Sequence, residues 1–317
     1  MNRSDDSVLE PHQLANVQAH AERLLKEASA HGRFPTPVED LIAAAKLTVV
    51  EDEVLDDNFI QRFLHKTKVS VASLKSALSK VLGLFETHER LVLIDRNTPT
   101  PRVPFVKLHE AGHGTLPHQR KAYALVQDCE KTLDPDITDL FEREANVFAS
   151  EALFQGGIFA SEAHAYDFSM KVPIKLAKKY GASNYAAFRR YVTTNPRVCC
   201  LVVLEPAVQL QDGKTVADVR RVIASKSFSV VYDPGTLFLP VTDGHPLHPL
   251  IPRRRMVYPR ELVLKDRNSE DRECIGESFD TTHQILVLIR DVGPVNRKSI
   301  IMPGSSDFGL TWERLGS

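Results

Sequence analysis

Apolar positions in the first part of the chain recur at helical spacing. Leu14, Val17, Ala21, Leu24, Leu25 and Ala28 fall on one face and predict an amphipathic helix that stops near His31-Gly32. Thr36, Pro37 and Glu39 have the form of an N-cap, an N1 proline and an N3 acid, a capping box for a second helix through Leu41, Ile42 and Ala45. Leu47 to Val50 then reads as a short strand. Val71, Leu74, Leu78, Val81 and Leu82 suggest a helix within 59–90. Leu91-Val92-Leu93-Ile94 predicts a strand, closed by Asp95-Arg96-Asn97 and by Pro99 and Pro101. One helix is expected from about Val103 to Pro117, where proline should stop it, and another from near Asp136 to Gly156-Gly157. Two shorter helices fit 173–180 and 184–192, with Gly181-Ala182-Ser183 between them and Ser183 as N-cap.

After Pro196 the pattern changes. Short apolar runs, Leu201–Leu204, Phe228–Tyr232 and Ile285–Ile289, alternate with proline-rich and charged loops and read as strands. The boundary falls near 197–200. The expected fold is α+β: a mostly helical domain with a small sheet over 1–198, followed by a smaller α/β or α+β domain over 199–317.

Composition narrows the class. The chain has 317 residues, 43% hydrophobic and 26% charged, with a net charge of −1. That describes a globular protein with a sizeable core and no global field towards nucleic acid or membrane. The four cysteines, Cys129, Cys199, Cys200 and Cys274, form no CxxC pair and suit a reduced compartment. The polar, acidic N-terminus lacks the pattern of a signal peptide, and no apolar run is long enough to span a bilayer. A cytoplasmic protein without a membrane partner is expected.

One pentapeptide adds chemistry. His109-Glu110-Ala111-Gly112-His113 falls inside the expected helix. Residues four apart stack on one helical face, so the two imidazoles can share one Zn²⁺ at about 2.0–2.1 Å. Glu110 projects beside them, where it can take a proton from a water that the metal has acidified. Gly112 lacks a side chain and permits a close neighbour. A chance match of this short pattern need not lie in a helix; here it follows a strand and a turn.

A catalytic zinc needs a third protein ligand and an open position. The helix expected from Asp136 is the best donor, with Phe141, Ala145, Phe148, Ala149 and Ala152 as its buried stripe. Glu142 and Glu144 lie on opposite shoulders of that stripe, and periodicity does not choose between them. Their neighbours favour Glu142, which shares a side with the small residues Ala145, Asn146 and Ala149. Glu144 sits towards Phe148 and Glu151, on what reads as a more solvated edge. Asn146 could hydrogen-bond a ligating histidine. Taken singly, a glutamate here is usually an ordinary exposed helix charge; its context lifts Glu142 above that reading.

These motifs resemble the ImmA/IrrE family of zinc metallo-endopeptidases. The resemblance is carried by Arg102-Val-Pro-Phe105-Val-Lys-Leu108-His-Glu-Ala-Gly-His113 and by Glu142-Arg-Glu-Ala-Asn146-Val-Phe-Ala149, with Pro35–Val49 similar to an early family segment. It covers roughly the first 200 residues. It implies a zincin-like, gluzincin-type fold, zinc on His109, His113 and Glu142, and Glu110 as general base. It also implies cleavage of one or a few specific proteins, typically a transcriptional repressor, relieving repression of a stress or mobile-element regulon. Two departures touch the rim of the cleft: Pro117 stands where relatives often have histidine, with His118 after it, and Leu153-Phe-Gln-Gly-Gly157 replaces a Leu-Met-Pro. His118, Tyr123 and Tyr185 are candidate donors to the reaction's oxyanion.

Residues 171–192 read as helix, turn, helix and carry Lys175, Lys178, Lys179, Arg189 and Arg190, similar to a helix-turn-helix. This is foremost a solvated helical pair completing the peptidase core, and otherwise a surface for DNA or an acidic partner. Arg253-Arg254-Arg255 reads as a solvated loop. The second function class is a DNA- or protein-binding regulator with a structural or silent zinc site. Glu110 argues against it, because a structural site has no need of a base. The role of 199–317 is open between sensing, docking and dimerisation.

Overall fold

The computed structural model describes residues 8–52, 83–86, 90–129, 134–211, 213–252 and 254–295. The helix suggested by Val71 to Leu82, and Arg253, lie outside the described residues.

Helix α1 (Pro11–Glu27) buries Val17, Ala21, Leu24 and Leu25, as its periodicity predicts. Helix α2 (Val38–Ala44) follows, but without the expected capping box. Thr36 is buried, and its hydroxyl donates to Leu153 O at 2.8 Å rather than capping the helix. Glu39 instead pairs with Lys107 at 2.9 Å. Tertiary partners have outbid local capping for both side chains.

Strands β1 (Thr48–Asp52), β2 (Gly83–Glu86) and β3 (Leu91–Asp95) form a small mixed sheet in the order β1-β3-β2, with β1 parallel and β2 antiparallel to β3. From this sheet the chain enters α3 (Val103–Thr115), the helix of the histidine motif. Pro117 does not end the helical region. It opens a new helix, α4 (Pro117–Cys129), after a single extended residue, Leu116. Helix α5 (Pro135–Leu153) is capped by the Asp134 side chain, which accepts from Asp136 N. Helices α6 (Gly157–His164), α7 (Lys171–Tyr180) and α8 (Asn184–Thr193) complete the helical part. Gly181 ends α7 with a φ of 71°, the left-handed conformation glycine adopts freely. Ser183 caps α8 as expected, accepting from Ala186 N.

The rest of the chain builds a five-stranded antiparallel sheet in the order β7-β4-β10-β9-β8. Its strands are β4 (Cys199–Leu204), β7 (Val219–Ala224), β8 (Met256–Lys265), β9 (Asp271–Asp280) and β10 (Ile285–Pro294). A separate two-stranded ribbon joins β5 (Val208–Gln209) and β6 (Thr215–Val216). Phe228–Tyr232, expected as a strand, lies mostly in helix α9 (Lys226–Val231). The Ser225 side chain accepts from Phe228 N and starts a helix, and the Phe228 and Tyr232 rings stack at 4.4 Å. An N-cap and an i, i+4 aromatic pair overrode β propensity.

Alternation along β4 and β10 divides the core. Cys199, Leu201, Val203, Leu286 and Leu288 join the core of the helical part. Cys200, Val202, Leu204, Val287 and Ile289 point the other way, into a second core with Phe228 and Leu247. The boundary near 199 is therefore a change of secondary structure across a continuous core. Glu277 of β9 strengthens the junction: its Oε2 accepts from Ser169 Oγ at 3.2 Å and from Met170 N at 3.3 Å, just before α7.

Candidate metal centre

Helix α3 crosses α5 closely because Gly112 lacks a side chain. A Cβ there would stand 3.2 Å from Ala145 Cα and 3.3 Å from the Phe148 ring. That approach brings the Glu142 carboxylate over both histidines. Glu142 Oε2 lies 3.2 Å from His109 Nε2, and Oε1 lies 3.6 Å from His113 Nε2. The two Nε2 atoms are 3.3 Å apart. Among the described residues these three form a group able to hold a metal ion, with one ligand atom from each within 4.8 Å of the others. The histidine side chains are 8% and 5% exposed and that of Glu142 is 37% exposed, so the group opens to solvent on the carboxylate side.

The electrostatics separate the two rings. Burial pulls His109 down, but the hydrogen bond with Glu142 and the charge of Glu110 outweigh it, so its pKa is raised. His113 is lowered to about 4, first by burial and then by His109, against the opposing Glu142 charge. Asn146 hydrogen-bonds His109. Glu110 is buried, 2% exposed, and its charge acts on His109 and Tyr123.

Glu144 lies elsewhere. The edge expected to be solvated is buried, and Glu144 is 3% exposed. Its Oε2 accepts from His118 Nε2 at 2.6 Å and from Gln119 Nε2 at 2.6 Å. Gln119, fully buried, reaches His113 Nδ1 through its Oε1 at 2.7 Å. Sequence reasoning missed Gln119 because Pro117 was read as a stop. A proline at N1 is equally a helix start, which would have turned residue 119 back over α3.

The oxyanion candidates separate as well. His118 is engaged by Glu144. Tyr185 packs on the helical core from α8. Tyr123 lies against His113 with ring centroids 5.4 Å apart. Burial, followed by the charges of Glu142 and Glu110, pushes its pKa well up and keeps the phenol protonated.

Within the basic helical pair Arg190 is turned to internal use, whereas Lys175 and Lys178 stay exposed. Arg190, expected at a nucleic-acid or partner surface, is 9% exposed. It makes a bidentate pair with Glu151 at 2.8 and 2.9 Å and donates to Gly156 O at 2.7 Å, which removes it from any such surface. Lys179 pairs with Glu162 at 2.7 Å and lies over the Phe34 ring. Lys175 donates to Tyr166 OH at 2.9 Å, and Arg189 is half-buried. Lys178 is exposed. No helix among the described residues is long and apolar enough to cross a membrane.

Comparison with known proteins adds a family likeness over part of the chain. A solved structure described as a Mycobacterium tuberculosis transcriptional regulator is similar at 12% identity and a TM-score of 0.49, over 87% of this chain and 88% of that one. No curated protein matches in sequence. Residues 64–191 match the model of the Peptidase_M78 family, described as an IrrE N-terminal-like domain. That span contains both histidines, Glu110 and Glu142, in agreement with the resemblance to ImmA/IrrE metallopeptidases read from the motifs. Residues 64–191 are thus similar to the IrrE N-terminal-like domain that the Peptidase_M78 family model describes.

Proposed function

We propose that the chain is a zinc-dependent endopeptidase that cleaves one or a few specific intracellular proteins, among them a transcriptional repressor. The observation that carries this reading is the convergence of His109, His113 and Glu142 beside the buried Glu110. Donors at about 2.0–2.1 Å from a tetrahedral zinc stand about 3.3–3.4 Å from one another. The separations here, 3.2, 3.3 and 3.6 Å, fit that figure. Two imidazoles and one carboxylate are also a donor set zinc favours in catalytic sites.

When bound, zinc supplies a Lewis-acidic centre that acidifies water and polarises the scissile carbonyl. Glu110 takes the proton from the attacking water as its oxygen bonds to the carbonyl carbon. It passes that proton to the amine nitrogen as the C–N bond breaks. Tyr123, kept protonated beside His113, is placed by this reading as donor to the carbonyl oxygen. Specificity for a repressor rests on the resemblance to the ImmA/IrrE peptidases.

The zinc-loaded protein should cut at least one repressor encoded near its gene and leave unfolded casein largely intact. Glu110→Gln should keep its zinc and lose about 10²–10⁴-fold in rate, because shape is retained and basicity is not. Full activity in that variant overturns the mechanism. Efficient casein digestion with no preference for any repressor overturns the selectivity.

A further inference from the structure

We propose that Gln119 and Glu144 are positioning residues that fix the tautomer of His113, so that its Nε2 lone pair is the atom presented to the metal. The inference rests on the metal-site reading above and concerns how that site is held ready.

The assignment follows from which atoms can donate. The Glu144 carboxylate, 3% exposed, receives His118 Nε2 and Gln119 Nε2 on one oxygen, each at 2.6 Å. A carboxylate only accepts, so the NH₂ side of the Gln119 amide must face it. The second hydrogen of that group goes to Phe141 O at 3.3 Å. The amide carbonyl is then left facing His113 Nδ1 at 2.7 Å. An amide oxygen also only accepts, so Nδ1 carries the hydrogen, and in the neutral ring Nε2 then keeps its lone pair. A flipped amide would set two acceptor oxygens 2.6 Å apart in a buried site, a costly arrangement. The orientation is thus dictated from Glu144 through Gln119 to the ring. His109 is served separately by Asn146.

This arrangement predisposes the site. A histidine that enters a metal site in the wrong tautomer must first move its proton, and a ring free to rotate must first be ordered. Neutral His113 needs neither step. Partners of ligating histidines typically contribute 10–100-fold in metal affinity.

The test reads the tautomer directly. In zinc-free wild-type protein, ¹⁵N NMR of the His113 ring should show Nδ1 protonated and Nε2 bare. Gln119→Met keeps the side chain's size and removes the acceptor. It should lose that preference and weaken zinc binding by about 10–100-fold in chelator competition. Glu144→Gln lifts the acceptor-only constraint and should also blur the tautomer. A dominant Nε2–H form in the wild type overturns the proposal, and so does wild-type zinc affinity in a folded Gln119→Met protein. Should that variant not fold, the wild-type spectrum decides alone. Failure of the wild type to take up zinc overturns the metal reading instead, and the spectrum distinguishes the two failures.

Discussion

Glu142 and Glu144 stand two residues apart on α5 and meet opposite surroundings. Glu142 is 37% exposed in its side chain and faces both histidines; Glu144 is buried behind them. Removing Glu142 would delete one of the three proposed donors. Removing Glu144 leaves the donors in place and frees Gln119 to rotate. Glu144→Ala should therefore weaken zinc binding by about 10–100-fold, and Glu142→Ala by clearly more. Chelator competition measures both, and the reverse order would contradict the ligand assignment. The histidine pair was legible because four-residue spacing is itself the geometry of a shared metal. Glu142 was legible through its small neighbours Ala145 and Ala149. Gln119 was not, because nothing local tells a proline that ends one helix from a proline that begins the next.

At the scale of elements, two contacts hold the centre. The first is the α3–α5 crossing at Gly112. A valine there would push its methyls into Ala145 and Phe148. Gly112→Val should cost about 1–3 kcal/mol in thermal or denaturant unfolding and lower metal affinity by parting the ligands. Unchanged stability and affinity would show that the helices can separate freely. The second contact is Glu151 of α5 with Arg190 of α8. Burial pushes the Glu151 carboxyl up, but the hydrogen bonds and charge of Arg190, helped by Gln18, hold it below its ordinary value. The folded state then binds fewer protons than the unfolded chain, whose glutamates titrate near about 4.3. The stabilisation is complete above about pH 5 and is lost as pH falls through the depressed folded value. Arg190→Met leaves a buried charge unpaired and should cost about 3–5 kcal/mol at neutral pH, less as the solution is acidified. A penalty that does not shrink in acid would contradict this assignment. Most helices were legible from periodicity. Phe228–Tyr232 was not, because the Ser225 cap that decides it lies outside the apolar run. Nor was β8, whose Tyr258-Pro259-Arg260-Glu261 stretch is exposed on an edge strand and carries no apolar alternation.

For the molecule as a whole, the sheet shares the core of the helical part. Leu201, Val203, Ile223, Phe279, Leu286 and Leu288 cover the helical part. Full burial of one such side chain contributes about 1.5–3 kcal/mol, and several together rival the 5–15 kcal/mol of a typical domain. A fragment ending at residue 198 should therefore lose cooperative thermal unfolding and bind hydrophobic dye. A sharp transition in that fragment at the full-length melting temperature would show that the helical part stands alone. The change of texture after Pro196 marked the switch from helix to strand. It could not reveal the shared core, because alternate residues of one uniformly apolar run, Cys199 to Leu204, face different partners. The same alternation makes the neighbouring thiols Cys199 and Cys200 sentinels on opposite sides of one strand. Both are fully buried, and burial raises both, Cys199 to about 12. An alkylating reagent reaches Cys199 when the helices lift from the sheet and Cys200 when the opposite layer opens, so one dipeptide can report which side of the protein breathes first.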